Sequence, residues 1–283
     1  KSVIFHWRDL NAKDLPPGDR SPSQLWTLYN LEAPPHTQRL PEDNDLLSFN
    51  LTANYRRDSH INIPYGRIVP KRRRKTAEVS SVDVANKSKQ IAWFVSNCHT
   101  TSHREDYVKQ LARYIQVDVY GKCGHLNCLP PNSYECYRKI AREYRFYLSF
   151  ENSICRDYVT EKLFNILDYN LIPIVFGGAN YSDFMPPHSY IDATEMKPVD
   201  LAALLQKLSN DPAEYLKYFE WKANFGTDKQ STHYNEVLFC KLCEEMEKQQ
   251  LKSVQSSASS LTAKAINNWY FENACNVRKL QFF

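Results

Sequence analysis

The sequence predicts an α/β fold resting on a parallel sheet from about residue 88 onward, and three observations carry that expectation. Short apolar runs alternate with amphipathic stretches from Lys89, at the spacing of right-handed βαβ units. The runs close on turn signals, Ser96-Asn97, Gly121 and Gly177-Gly178. The balance of 42% hydrophobic and 24% charged residues is that of an ordinary globular protein, so disorder is not expected over most of the length. The 283 residues leave room for two average domains or one large one.

Residues 1–87 are turn-rich, with Pro16-Pro17-Gly18-Asp19, Pro22 and Pro34-Pro35 between short strand candidates at 3–7, 25–31 and 46–55. Residues 91–95 form the first strand of the second region. Ser102-x-x-Glu105 then reads as a capping box ahead of an amphipathic stretch bearing Tyr107, Val108, Leu111, Tyr114 and Ile115. Residues 117–120 make a second strand, 134–143 a helix and 146–150 a third strand. Thr160 is placed to cap a helix from Glu161 to about Tyr169. Residues 172–176 are a further strand, while 199–208 and 212–221 read as helices, the second with Pro at its first position. Residues 253–260 are Ser-rich, and 261–275 suit a terminal helix with Leu261, Ala265 and Trp269 in phase. The organisation expected is a first domain over 1–87, a Rossmann-like domain over 88–245, and a tail and helix over 246–283 that packs back on the domains.

With 36 Lys+Arg against 32 Asp+Glu, the net charge of +4 is too small for a dedicated nucleic-acid binder. The run Lys71-Arg72-Arg73-Arg74-Lys75 reads as a solvated loop between domains. Only 7 glycines occur, and neither GxGxxG nor GxxxxGK[ST] is present, so a bound nucleotide needs something other than a glycine loop at its phosphates. Eight cysteines, at 98, 123, 128, 136, 155, 240, 243 and 275, accompany N-x-[ST] sequons at Asn50, Asn86 and Asn180. Together they suit an oxidising secretory lumen. Cys240-Lys-Leu-Cys243 also fits half of a zinc site, for which Cys123-x4-Cys128 is a loose second half, but the spacings favour disulfides. Asp43-Asn44-Asp45 reads as a polar turn. No apolar stretch approaches the roughly 18 residues of a membrane span. The chain opens straight into a strand-like run with neither Met nor a signal-peptide pattern, as expected of an excised portion whose anchor lies outside it.

Ligands of such sheets bind outside the carboxyl ends of the strands. Residues 151–162, which follow the strand at 146–150, are therefore the first place to look. A helix start here offers unpaired N–H groups and a positive dipole end to a diphosphate, and Lys162 adds a full charge. Asn152 and Glu161 can hydrogen-bond a ribose or base, and Tyr158 offers a stacking face. On spacing alone a second reading stands beside this one: Thr160-Glu161 is simply an N-cap with an acidic first turn.

Phe146-Tyr-Leu-Ser-Phe-Glu-Asn-Ser153, followed by Asp157-Tyr-Val-Thr-Glu-Lys162, resembles the hallmark of the α1,3-fucosyltransferase family. Leu31-Glu-Ala-Pro-Pro-His-Thr37 resembles a second family segment, with Ala33 where the family has Ser. Tyr55-Arg-Arg-Asp-Ser59, Ile63-Pro-Tyr-Gly66, Val95-Ser-Asn97, Val117-Asp-Val-Tyr-Gly121 and Ile172-Pro-Ile-Val175 resemble others, in order across roughly residues 1–245. The resemblance implies two facing Rossmann-like domains of the GT-B type, with 1–87 on the acceptor side and 88–245 binding GDP-fucose. It implies an inverting transfer of L-fucose from GDP-β-L-fucose, with Glu32 as general base. Arg104 and Lys162 match the cations on the diphosphate, Glu161 the residue on the guanosine ribose, and Asn152 and Tyr158 further donor-site residues. No metal or other cofactor is expected, Mn²⁺ or Mg²⁺ being at most stimulatory.

Within the family the chain resembles the branch, represented in invertebrates, that fucosylates the innermost GlcNAc of N-glycans. Ser96-Asn97-Cys98 and the cysteine in Tyr120-Gly-Lys-Cys-Gly124 carry that likeness. The implied partners are GDP-fucose and an N-glycan or glycopeptide acceptor, in the Golgi lumen, as the ectodomain of a type II membrane protein. Antennal N-acetyllactosamine transfer, protein O-fucosylation and an inactive glycan-binding relative are the alternatives; intact Glu32, Arg104 and Lys162 favour an enzyme. Cys98 and Cys123 follow neighbouring predicted strands and are expected to pair, and Cys240 with Cys243 to pair locally.

Overall fold

A computed structural model describes residues 1–11, 13, 15–16, 20–21, 23–44, 46–71, 84, 86–131, 133–229, 234–252 and 260–276. Residues 72–75 of the basic run, 253–259 of the Ser-rich stretch, 17–19 of the first proline turn and Asp45 lie outside them. In chain order the strands are β1 Ser2–His6, β2 Leu25–Asn30, β3 Ser48–Phe49, β4 Leu51–Asn54, β5 Ile61–Asn62, β6 Arg67–Pro70, β7 Lys89–Phe94, β8 Val117–Tyr120, β9 Tyr144–Phe150, β10 Ile172–Phe176, β11 Ile191–Asp192, β12 Phe225–Asp228 and β13 Leu261–Thr262.

The chain divides into two units, one of residues 1–65, 155–158 and 230–277, the other of 66–154, 159–229 and 278–283. These boundaries differ from the expected 1–87, 88–245 and 246–283, for three physical reasons. Strand β6 pairs antiparallel with β12, which draws residues 67–70 into the second unit. The Cys155–Cys275 disulfide, together with the ring of Tyr158 on that of Tyr55 at 5.0 Å, places 155–158 in the first. Helix Tyr234–Lys252 buries Leu238 and Leu242 against Leu51, Ala53 and Ile61 of the first sheet.

The first unit is a parallel sheet in the order β1-β2-β4-β5. Successive side chains of a strand point to opposite faces. Phe5, Trp26 and Leu28 accordingly join Ile266 and Tyr270 of helix Ala263–Phe271 in one cluster. Leu25, Leu51 and Ala53 join the long helix in another. A sheet covered on both faces in this way has strands buried throughout, as Leu51–Asn54 is.

The second unit has a parallel sheet in the order β11-β10-β9-β7-β8. Ile91, Trp93, Phe146, Leu148 and Phe150 face helices Arg104–Leu111 and Pro198–Asn210. Ala92 and Tyr147 face helix Tyr134–Glu143. The chain winds outward from β7 to β8 on one side and from β9 to β11 on the other. The order therefore reverses between β7 and β9, the point at which doubly wound sheets open a crevice for ligands.

Four local expectations change. The helix expected over 161–169 is a single turn, Glu161–Phe164, because the chain then tightens into i→i+3 turns, Ile166 N–H to Leu163 O and Tyr169 N–H to Ile166 O. The capping box is displaced: Glu105 accepts from Thr100 N–H and Oγ1, each at 2.8 Å, while Ser102 Oγ donates to Glu151 O at 2.7 Å. Helix Pro212–Lys217 stops short of Trp221, and 3-10 helix Glu220–Ala223 follows. Cys98 pairs with Cys123 as expected, and Cys128–Cys136 and Cys155–Cys275 are also bonded, but Cys240 and Cys243 are exposed free thiols. On a helix Cβ atoms three apart lie about 5–6 Å from each other, wider than the ~3.5–4.5 Å a disulfide spans. Bonded Cys123 and Cys128 also remove the zinc reading. Among the described residues no helix is long and apolar enough to cross a membrane.

Candidate active site

The exits of β7 and β9 meet at the reversal point, and Arg104 holds them together. It stands in the first turn of helix Arg104–Leu111, only 3% exposed. Its Nη1 donates to Phe150 O at 2.6 Å and its Nη2 to Asn97 O at 3.2 Å, with the guanidinium 5.6 Å from the Trp93 ring. A planar fork of five donors suits this bridging role where a lysine does not.

Next to this bridge a cavity of about 400 Å³ opens, and Asn97, Arg104, Lys122, Asn152, Glu161 and Lys162 are its polar lining. Phe94, Tyr120, Tyr137 and Tyr147 supply an aromatic wall, with Phe94 and Tyr137 ring centroids 5.5 Å apart. Lys122, Asn127, Leu129 and Pro131 come from the segment fixed by the Cys98–Cys123 and Cys128–Cys136 disulfides.

The charged floor is built around Glu151, the first residue after β9. Its side chain is 1% exposed and accepts from Thr160 N–H at 2.8 Å, from Thr160 Oγ1 at 2.9 Å and from Lys162 Nζ at 3.2 Å. Burial pushes the Glu151 carboxyl above the usual range, against the pull of Lys162. Burial works against the charge on Lys162 too, but Glu151 and Glu161 outweigh it and raise its pKa, so the ammonium stays protonated. Lys162 Nζ is also 3.2 Å from Glu161, and Lys162 remains 24% exposed. Asn152 Oδ1 lines the cavity, buried and with no hydrogen-bond partner among the described residues. The site thus combines a fixed cation, a buried guanidinium, an open amide oxygen and an aromatic wall. That chemistry suits a phosphorylated ligand bearing a flat base. A single helical turn carries little macrodipole, so charge here comes from side chains.

Arg104, Asn152, Glu161 and Lys162 therefore line one cavity. Tyr158 does not line this cavity. It is 2% exposed and packs with Tyr55, Tyr65, Ala33 and Cys155 in the first unit. Glu32 lies just past the carboxyl end of β2, with its side chain 37% exposed and 3.5 Å from Arg8 Nη1. Of the sequons, Asn86 and Asn180 are exposed, whereas Asn50 is buried and its Oδ1 accepts the Trp26 N–H at 2.8 Å. That is the setting of a structural side chain and not of a glycan. The sequence reading missed Glu151, Lys122, Tyr137 and Tyr147. Adjacency to β9 was a usable signal for Glu151; the tyrosines needed the sheet order.

Residues 84–269 match the family model described as glycosyltransferase family 10 (fucosyltransferase) C-term, and residues 1–66 match fucosyltransferase, N-terminal. The chain is 37% identical over 261 residues to alpha-(1,3)-fucosyltransferase C of Drosophila melanogaster, covering 86% of this chain and 60% of that protein. It is 38% identical over 237 residues to glycoprotein 3-alpha-L-fucosyltransferase A of the same organism, covering 81% and 45%. A 3-galactosyl-N-acetylglucosaminide 4-alpha-L-fucosyltransferase of Bos taurus is 36% identical over 266 residues, 91% of this chain and 70% of that protein. The chain thus spans 45–60% of the length of the two Drosophila relatives. The crystal structure of an alpha1,3-fucosyltransferase with GDP-fucose shares the fold, with a TM-score of 0.53 at 14% identity over 87% of this chain and 89% of that one.

Proposed function

The chain belongs to glycosyltransferase family 10, the fucosyltransferases, and on that footing we propose that it transfers L-fucose from GDP-β-L-fucose in α1,3 linkage to the innermost GlcNAc of N-glycans. One observation supports the donor half: two cations for a diphosphate, Arg104 and Lys162, line one cavity at the sheet's reversal point with Asn152 and Glu161, which can hydrogen-bond the nucleoside. The acceptor half is supported by the likeness of Ser96-Asn97-Cys98 and by the bond from Cys98 to Cys123.

A β-linked donor giving an α-linked product inverts the anomeric carbon in one displacement. The transition state resembles an oxocarbenium ion, as in glycoside hydrolysis. Glu32 takes the proton of the attacking 3-hydroxyl. Negative charge grows on the departing GDP. Lys162, already protonated, and the Arg104 guanidinium stabilise it from positions set before the reaction, where losing one such contact costs about 10²–10³ in rate. Glu161 and Asn152 hydrogen-bond the nucleoside, and the tyrosine wall covers a flat base. With two side-chain cations on the diphosphate, the transfer proceeds without a metal, Mn²⁺ or Mg²⁺ being at most stimulatory. The setting that suits three disulfides and exposed sequons is an oxidising lumen, that of the Golgi.

The test is product analysis by mass spectrometry, with GDP-fucose offered together with a GlcNAc-terminated biantennary glycopeptide and N-acetyllactosamine. Fucose on the core GlcNAc alone supports the reading. Fucose on N-acetyllactosamine alone overturns the acceptor assignment, and no fucose on either overturns the activity.

A further inference from the structure

Apolar burial against Phe5, Trp26 and Leu28 holds helix Ala263–Phe271 in the first unit, and the hydrogen bonds around Glu32 give this helix a second task. The Glu32 N–H donates to Asn30 Oδ1 at 3.1 Å. Asn30 Nδ2 donates to the Tyr270 hydroxyl at 3.2 Å and to Thr37 Oγ1 at 2.9 Å. The Tyr270 hydroxyl in turn donates to Glu32 O. These bonds close a circuit that fixes both polar groups of the Glu32 main chain. The flanking carbonyls are fixed as well, Leu31 O by Tyr65 OH at 2.7 Å and Ala33 O by Thr37 Oγ1 at 3.1 Å. Asn30 is 1% exposed and Tyr270 fully buried, its ring centroid 4.8 Å from that of Trp7. The Glu32 side chain, by contrast, is 37% exposed. A rigid backbone beneath an accessible carboxylate is what a proton-accepting group requires, since its reach to the proton must be set before reaction.

We infer that Tyr270 is a positioning residue for the Glu32 carboxylate, acting with Asn30 through the Glu32 main chain, so that the C-terminal helix is part of the catalytic apparatus. This assignment rests on the proposed role of Glu32. Tyr270→Phe removes the hydroxyl and keeps the packed ring, so it separates the two. Steady-state transfer kinetics and calorimetric GDP titration of the full chain would be run on wild type, Tyr270→Phe, Glu32→Gln and the double variant. The expected result is a fall in kcat of about tenfold or more, with KM for GDP-fucose and GDP affinity unchanged, and no further fall when Tyr270→Phe is added to Glu32→Gln. Asn30→Asp, which keeps the acceptor for the Glu32 N–H but loses the Nδ2 donor to Tyr270, Thr37 and Glu32 O, is expected to reproduce the kcat effect and covers the case in which Tyr270→Phe does not fold. A smaller fall in kcat in both Tyr270→Phe and Asn30→Asp overturns the assignment. So does an equal further loss in the Glu32→Gln background, or a loss carried by GDP affinity. Wild-type turnover by Glu32→Gln alone overturns the reading of Glu32 itself, in an arm that leaves Tyr270 intact.

Discussion

Replacing Lys162 by alanine separates the two tasks the structure gives this side chain. Its ammonium is 3.2 Å from the Glu151 carboxylate, which is 1% exposed and keeps only Thr160 as a partner once the lysine is gone. Removing one member of a buried pair costs about 3–5 kcal/mol. Because Lys162 is 24% exposed, water screens part of the loss, and the lower end, about 3 kcal/mol, is expected. For a unit of this size each kcal/mol moves Tm by about 2–4 °C, so the shift is about 6–12 °C. The second task is the diphosphate. A charge-assisted contact contributes about 1.5–3 kcal/mol, so GDP should bind roughly 10- to 100-fold more weakly. Adding Glu151→Gln removes the stranded charge, keeps an acceptor for the Thr160 N–H and offers a new donor to its Oγ1. The double variant should therefore recover most of the lost Tm and none of the lost affinity. Differential scanning calorimetry and isothermal titration with GDP read the two effects separately. Unchanged GDP affinity in Lys162→Ala places the diphosphate elsewhere, and no recovery of Tm in the double variant refutes the buried-pair account.

Other outcomes follow from the same structure. Transfer should proceed at full rate in excess EDTA, and a strict Mn²⁺ requirement would contradict the assignment of Lys162 and Arg104 to the leaving group. Alkylation of the folded, unreduced chain should add two groups, on Cys240 and Cys243; peptide mapping that finds either in a bond to the other contradicts the helix geometry. Burial lowers the Lys222 ammonium from 10.5 to about 8, where it donates to Tyr169 O. Between about 8 and 10.5 the unfolded chain holds a proton the folded one has released, so stability rises with pH across that window. Lys222→Met should abolish that slope and raise Tm at pH 7; a slope that survives assigns it to other groups.

The strands were readable because each is an apolar run that ends at a turn residue, a purely local signal. Helix Tyr134–Glu143 was readable because Ser133 caps it and its apolar positions recur in phase. The unit boundaries were not local. They depend on Pro70 meeting Phe225, and on Cys155 choosing Cys275 from the many connectivities open to eight cysteines. Helix Tyr234–Lys252 had its signal in Tyr234, Leu238, Leu242 and Met246, four apart, but the Cys240-Lys-Leu-Cys243 spacing drew the reading to pairing instead. At the site, Arg104 and Lys162 could be placed by resemblance. The bond of Arg104 to Phe150 O could not, since it arises from β7 lying beside β9 in the sheet, and that of Lys162 to Glu151 depends on how the loop between them folds back. Tyr158 shows the reverse failure: it sits within the hallmark, yet it and the three residues before it are claimed by a disulfide and a tyrosine cluster of the first unit.

The measurement that bears most directly on the account is fucosyl transfer by Glu32→Gln beside its affinity for GDP. Loss of the carboxylate, with the cavity residues intact, should reduce transfer from GDP-fucose by at least about 10²-fold while GDP binds as it does to the wild type. Near-wild-type turnover in that variant would remove Glu32 from the reaction and contradict the mechanism proposed for this chain.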